Sequence, residues 1–123
     1  MASILVIDDH PDILTALRRV LEGAGHTVTE APDGPTALRW FAGQPRDLVV
    51  TDIYMPGMDG IELIVRLRET FPQVPVVAMS GGGPLYKGHV LGAASKLGGI
   101  RVLAKPFTSD QVLTVVDEAL GAS

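Results

Sequence analysis

The chain has 123 residues, 46% of them hydrophobic and 20% charged, which suits one domain with a buried core. It has no cysteine, which excludes disulfides, thiol chemistry and cysteine-based zinc sites. The formal net charge is −4 and the ten lysines and arginines are scattered, so direct nucleic-acid binding is not expected.

The opening "MASILVIDDHP" lacks the basic region and small-residue cleavage site of a signal peptide, and no apolar run approaches a membrane span. A cytoplasmic protein with no membrane partner is the simplest expectation. "SILVI" reads as a short buried strand that stops at "DDHP". Pro11 suits the first helical position, where its missing N–H would be unpaired anyway. Ile13, Leu14, Leu17, Val20 and Leu21 recur on one face of an amphipathic helix, which Gly23 and Gly25 end. "HTVTEA" is short, polar-alternating and β-branched, as expected of a strand near a sheet edge. "DGPTALRWFAG" predicts a shorter helix with Ala37, Leu38 and Phe41 inward.

"DLVVTD" is almost continuously apolar and fits the covered centre of a parallel sheet. From Asp59, the pattern Ile61, Leu63, Ile64, Leu67 predicts a helix that runs to Pro72. "VPVVAMS" is another apolar strand, followed by "GGGP" and an alanine- and glycine-rich helix from Pro84 to Leu97. "IRVLAKP" supplies the last strand and "TSDQVLTVVDEAL" the last helix, with Thr108 or Ser109 as its cap. Five strands alternate with five helices, with no repeat, linker or appended output domain. Right-handed crossovers then predict one doubly wound, three-layer α/β domain over residues 1–123.

In such folds, ligand chemistry sits beyond the carboxyl ends of the strands, near where strand order reverses. The first strand leads there to Asp8 and Asp9, the third to Asp52, the fourth to Ser80 and the fifth to Lys105. Singly, each has a plain alternative: a solvated turn, a cap or a surface lysine. Together they form a chemical set. Clustered carboxylates repel one another unless a cation intervenes. An oxygen-only ligand set without His or Cys favours Mg²⁺. Lys105 can hold a separate negative oxygen, and Ser80 can donate a hydroxyl hydrogen bond to another. A carboxylate ringed by these groups can be the nucleophile that forms an aspartyl phosphate.

Four blocks in order, "VIDDHPDIL", "DLVVTDIYMPGMDGIEL", "VPVVAMSG" and "VLAKPF", make the chain resemble the receiver domain of two-component response regulators, in a chemotaxis-regulator-like form. The resemblance covers essentially the whole chain. It implies a flavodoxin-like, five-stranded parallel sheet of order 2-1-3-4-5. It also implies a phosphorylation-dependent switch that accepts a phosphoryl group from a sensor histidine kinase or histidine phosphotransfer protein and alters binding of an unknown downstream protein. Matched by position, Asp52 is the phosphoacceptor and Asp9 the direct magnesium ligand. Asp8 assists, and Tyr54 offers a backbone carbonyl to the ion. Mn²⁺ is an acceptable substitute for Mg²⁺. Ser80 and Lys105 follow the phosphoryl group, and a cis peptide is implied between Lys105 and Pro106. Such domains assist their own phosphorylation and hydrolysis without being conventional enzymes. The family also admits a homodimer, for which no residue here speaks independently.

One position departs from the family. The switch aromatic, three residues before the lysine, is Val102, so switching is expected to rely on Ser80 and the "GGGP" loop. That loop is either a phosphate-dependent lid or a tolerant surface loop. The rival reading is a pseudo-receiver, a protein-interaction module without phosphoryl transfer. A flavodoxin-like electron carrier is disfavoured, because "DDHPD" would repel a flavin phosphate. His10 is read as a turn residue rather than a ligand, and His26 and His89 have no ligand spacing. Trp40, Phe41 and Phe71 are expected in core or rim packing.

Overall fold

The computed structural model describes residues 1–81 and 99–121. Five strands, β1 (Ser3–Ile7), β2 (Thr27–Ala31), β3 (Leu48–Asp52), β4 (Val76–Ser80) and β5 (Ile100–Ala104), form one sheet in the order β2-β1-β3-β4-β5. Every neighbouring pair is parallel. Four helices are described: α1 (Pro11–Gly23), α2 (Gly34–Gly43), α3 (Gly60–Thr70) and α4 (Ser109–Gly121). The helix expected over 84–97, His89 and most of the "GGGP" loop lie outside the described residues.

The sheet is covered on both faces, which is why its central strands read as unbroken apolar runs. On one face Ile4, Val6, Leu48, Val50, Val77 and Met79 meet Leu14, Leu17 and Leu21 of α1 and Val112, Val115, Val116 and Ala119 of α4. On the other face Leu5, Ile7, Val49 and Val76 meet Ala37 and Phe41 of α2 and Leu63, Ile64 and Leu67 of α3. The period-two alternation of each strand thus feeds two cores at once. Burying each large aliphatic side chain contributes roughly 1.5–3 kcal/mol. Phe41 also packs edge-on against Phe71, with ring centroids 4.8 Å apart, while Trp40 stays on the rim.

The helices begin where their capping chemistry places them. Asp33 accepts from the Thr36 N–H at 2.8 Å to start α2, and Asp59 accepts from the Glu62 N–H at 2.8 Å to start α3. Thr108 caps α4 reciprocally: its hydroxyl oxygen accepts from the Gln111 N–H, and its own N–H donates to Gln111 Oε1. After α1 the chain turns through Gly25, whose φ of +95° few residues other than glycine adopt.

From β1 the chain crosses first to β2 on one side and later to β3 on the other. The carboxyl ends of β1 and β3 therefore flank the reversal of strand order, where the connections diverge and leave a crevice. Asp8 and Asp9 directly follow β1, and Asp52 is the last residue of β3.

Candidate functional site

Four strand ends supply the crevice. Asp8 is fully buried, Asp52 is 3% exposed and Ser80 2% exposed, so these polar groups are held inside. Asp9 is the more open member of the acidic pair, with its side chain 32% exposed. Ligand-type atoms of Asp8, Asp9, His10 and Asp52 lie within 4.8 Å of one another. The structure thus brings together carboxylates 44 residues apart in sequence.

Lys105 enters from β5. Its Nζ lies 2.9 Å from Asp8 Oδ2 and 3.4 Å from Asp52 Oδ1. Ahead of any phosphoryl group, the lysine already pairs with Asp8 and lies close to Asp52, so its one charge offsets part of theirs rather than standing apart to await an anion. Its N–H also donates to the Ser80 carbonyl at 2.8 Å, which fixes the β4 and β5 ends together. The Lys105–Pro106 peptide is cis. Ser80 Oγ is buried and has no hydrogen-bond partner among the described residues. A buried hydroxyl without a partner is costly, and its donor is available to an arriving oxygen.

Asp52 is held above the usual carboxylate range. Burial is the main cause and the neighbouring Asp8 charge the second; Lys105 and the Tyr54 backbone N–H oppose both. Three carboxylates face one ammonium here, Asp8 and Asp52 buried and Asp9 partly open, so the crevice carries an excess of negative charge. A divalent cation would balance it. The oxygen-rich donor set of Asp8, Asp9 and Asp52 suits a hard ion such as Mg²⁺, which takes a few carboxylates together with water and phosphate oxygen.

The loop after Asp52 is braced at both ends. Ile53 donates its N–H to the Met79 carbonyl at 3.1 Å, and Gly60 donates its N–H to the Ile53 carbonyl at 2.8 Å. Thr51 donates its hydroxyl to the Asp52 carbonyl at 3.0 Å. Ile53 and Met55 are buried anchors, while Tyr54 between them is 38% exposed. Gly57 takes a φ of +76°, which suits glycine at the turn of "MPGMDG". Val102 pairs in register with Ala78 and packs with Ile53, Ala78, Ile61 and Ile100.

A model of the response regulator receiver domain matches residues 4–117. The chain belongs to the response regulator receiver family. This receiver domain is 34% identical over 122 residues to the DNA-binding transcriptional regulator NtrC of Azospirillum brasilense, covering 99% of this chain and 25% of that protein. It is likewise 34% identical over 115 residues to NtrC of Escherichia coli K12, covering 94% of this chain and 24% of that one. It therefore spans about a quarter of the length of the curated relatives it matches. Among solved structures, it is similar to the receiver domain of NtrX from Brucella abortus, with a TM-score of 0.89, 32% identity and coverage of 98% and 99% of the two chains. The chemotaxis response regulator CheY4 of Vibrio cholerae gives a TM-score of 0.88 at 26% identity, over 98% and 99% of the chains.

His10, expected as a turn residue, stands at the N-cap of α1 with its ring against the acidic pair. Its Nδ1 lies 2.9 Å from Asp8 Oδ1 and 3.2 Å from Asp9 Oδ1, and its backbone N–H donates to Asp8 Oδ1 at 2.9 Å. The hydrogen bond to Asp8, then the Asp9 and Asp8 charges, raise the imidazole's pKa above its ordinary value. The signal was Pro11: a residue before proline is pushed into the extended region, and His10 has φ −102° and ψ 111°. It thus stands extended at the N-cap of α1, where its carbonyl accepts from the Ile13 and Leu14 N–H groups while its ring turns to the acidic pair.

Proposed function

We propose that this receiver domain is a phosphorylation-dependent signalling switch whose acceptor is Asp52. The observation that carries the reading is the meeting of Asp52, Lys105 and the acidic pair at the crossover crevice. The donor is a phosphohistidine on a sensor kinase or histidine phosphotransfer protein. An Asp52 carboxylate oxygen forms the new O–P bond while the P–N bond breaks, and the histidine nitrogen keeps the electron pair. Asp9 and Asp52, assisted by Asp8 and the Tyr54 carbonyl, would hold the Mg²⁺. When bound, the ion offsets the charge of the carboxylates and of the phosphoryl oxygens.

Lys105, 3.4 Å from Asp52 Oδ1, is close enough to donate a charge-assisted hydrogen bond to an added phosphoryl oxygen. Ser80 donates its hydroxyl, which has no partner among the described residues, to another. Both groups prefer the phosphorylated state, and that differential interaction is what shifts a two-state equilibrium. With Val102 in place of a swinging aromatic ring, the shift falls to Ser80 and the loop that follows it. The domain assists both gain and loss of its phosphoryl group, and the output is altered binding of a downstream protein.

The test is incubation with a small phosphodonor and Mg²⁺, read by intact mass. A phosphate-sized gain, abolished by chelation and by Asp52→Asn, is expected. No gain in the parent protein would instead favour a phosphorylation-independent interaction module, the reading that Val102 invites.

Tyr54 adds a kinetic expectation. Its partly exposed ring, two residues after the acceptor, restricts the approach of the attacking water. Tyr54→Asn should shorten the phosphoryl lifetime several-fold, on the order of 1 kcal/mol in the barrier. The loss of phosphate from isolated phosphorylated protein measures it, and equal lifetimes would refute the shielding role.

A further inference from the structure

His10 places a nitrogen where only oxygens were expected. Its Nδ1 is within hydrogen-bond reach of both members of the acidic pair, and its potential donor atom falls in the same 4.8 Å cluster as those of Asp8, Asp9 and Asp52. The packing of the fold does not account for it. The imidazole is 64% exposed, belongs to no core cluster, and makes no side-chain cap to α1. What the ring touches is the acidic pair.

A donor set of carboxylates plus imidazole does not discriminate among cations as carboxylates alone do. Mg²⁺ takes oxygen ligands and retains water, so a nearby imidazole adds little. Borderline first-row ions accept imidazole readily, with affinity generally rising from Mn²⁺ toward Cu²⁺ and high for Zn²⁺. We propose that His10 is a direct nitrogen ligand for borderline divalent cations at this acidic site, and that it shifts the metal preference of the receiver away from Mg²⁺ toward Mn²⁺ and Zn²⁺. In the metal-bound form the Nδ1 lone pair faces the ion in place of the present hydrogen bond to Asp8 and close approach to Asp9. The ring proton is then on Nε2. The inference rests on reading the acidic pair as the cation site, and it adds to that reading which cation the site selects.

Calorimetric titration of the full chain with Mg²⁺, Mn²⁺ and Zn²⁺, in wild type and His10→Ala, tests the inference without any phosphodonor. His10 caps α1 with no side-chain hydrogen bond, so the variant removes no cap. The expected result is a fall of at least about tenfold in the Zn²⁺-to-Mg²⁺ affinity ratio of the variant, with a smaller fall for Mn²⁺, while Mg²⁺ affinity holds. Imidazole ¹⁵N spectra supply a second readout: Zn²⁺ should shift the Nδ1 signal of His10 and leave that of His26 in place. An unchanged ratio with Mg²⁺ binding intact would overturn the role of His10 alone. Failure of both proteins to bind any of the three ions would overturn the cation site together with it. A Zn²⁺ affinity that falls in the variant although Mg²⁺ binds neither protein would support the histidine ligand and remove magnesium from the functional reading.

Discussion

Asp52→Asn is expected to make the domain more stable at neutral pH in the absence of divalent cations, although it removes the proposed acceptor. The wild-type carboxylate is buried beside Asp8, and these effects outweigh Lys105 and the Tyr54 N–H, so its pKa is raised. A group whose folded-state pKa is raised contributes stability that is present below its ordinary value and lost as pH rises through the folded value. The wild type loses that contribution as pH rises through the raised folded value, whereas the amide never carries the charge. Lys105 keeps Asp8 at 2.9 Å, so the substitution strands no buried cation. The gain should be on the order of 1 kcal/mol, or a few degrees in Tm, and should vanish in acid. Melting curves of both proteins with a chelator, from roughly pH 3 to 8, measure it. Added Mg²⁺ should narrow or reverse the difference, because a ligand at a hundred times its Kd stabilises by about 2.7 kcal/mol and the variant binds it less well. If the variant melts lower than wild type at neutral pH with chelator present, Lys105 already compensates the site in full.

Gly60→Ala should be the most damaging single methyl in the described part of the fold. A Cβ at Gly60 would lie 2.1 Å from the Asp52 carbonyl oxygen and 2.8 Å from Ile53 Cα, both backbone atoms. Neither can retreat cheaply. Ile53 is tied to Met79, and Gly60 itself donates to Ile53. Relieving the clash means moving the end of β3 away from its neighbour or displacing the first turn of α3. A cost of about 3 kcal/mol or more is expected, at the upper end of the overpacking range. Any folded remainder should accept phosphoryl groups poorly, because positioning at the loop is lost. Gly43→Ala is the control: nothing lies within 4 Å of its Cβ position. That change should be neutral, or stabilising by up to about 1 kcal/mol. Denaturant unfolding separates the two, and similar midpoints for both variants would show that the β3–α3 junction adjusts freely.

Much of this molecule is written in local pattern. Unbroken apolar runs at Leu48–Asp52 and Val76–Ser80 identify central strands because a sheet covered on both faces leaves no polar side to display. The β-branched, more polar "TVTEA" of β2 belongs to an edge for the converse reason. Asp33, Asp59 and Thr108 mark helix starts because capping is settled within four residues. Since alternating strands and helices imply parallel strands, the carboxyl ends of all five lie at one end of the sheet, and Asp8, Asp9, Asp52, Ser80 and Lys105 could be grouped before any coordinates.

Where those groups point was another matter. The pairing of Lys105 with Asp8 and Asp52 depends on distances between β1, β3 and β5, which no local pattern encodes. That Gly60 is glycine because its Cα abuts the Asp52 carbonyl, while Gly57 is glycine because of its φ, follows only from the packed loop. His10 looked like a turn because its ring acquires meaning only from the two carboxylates beside it. Sequence by itself determined the elements and which end of the sheet carries charge, since backbone and hydrophobic preferences act over a few residues. Tertiary structure alone decided which charges touch, because electrostatic partners are chosen across strands at separations of a few ångströms.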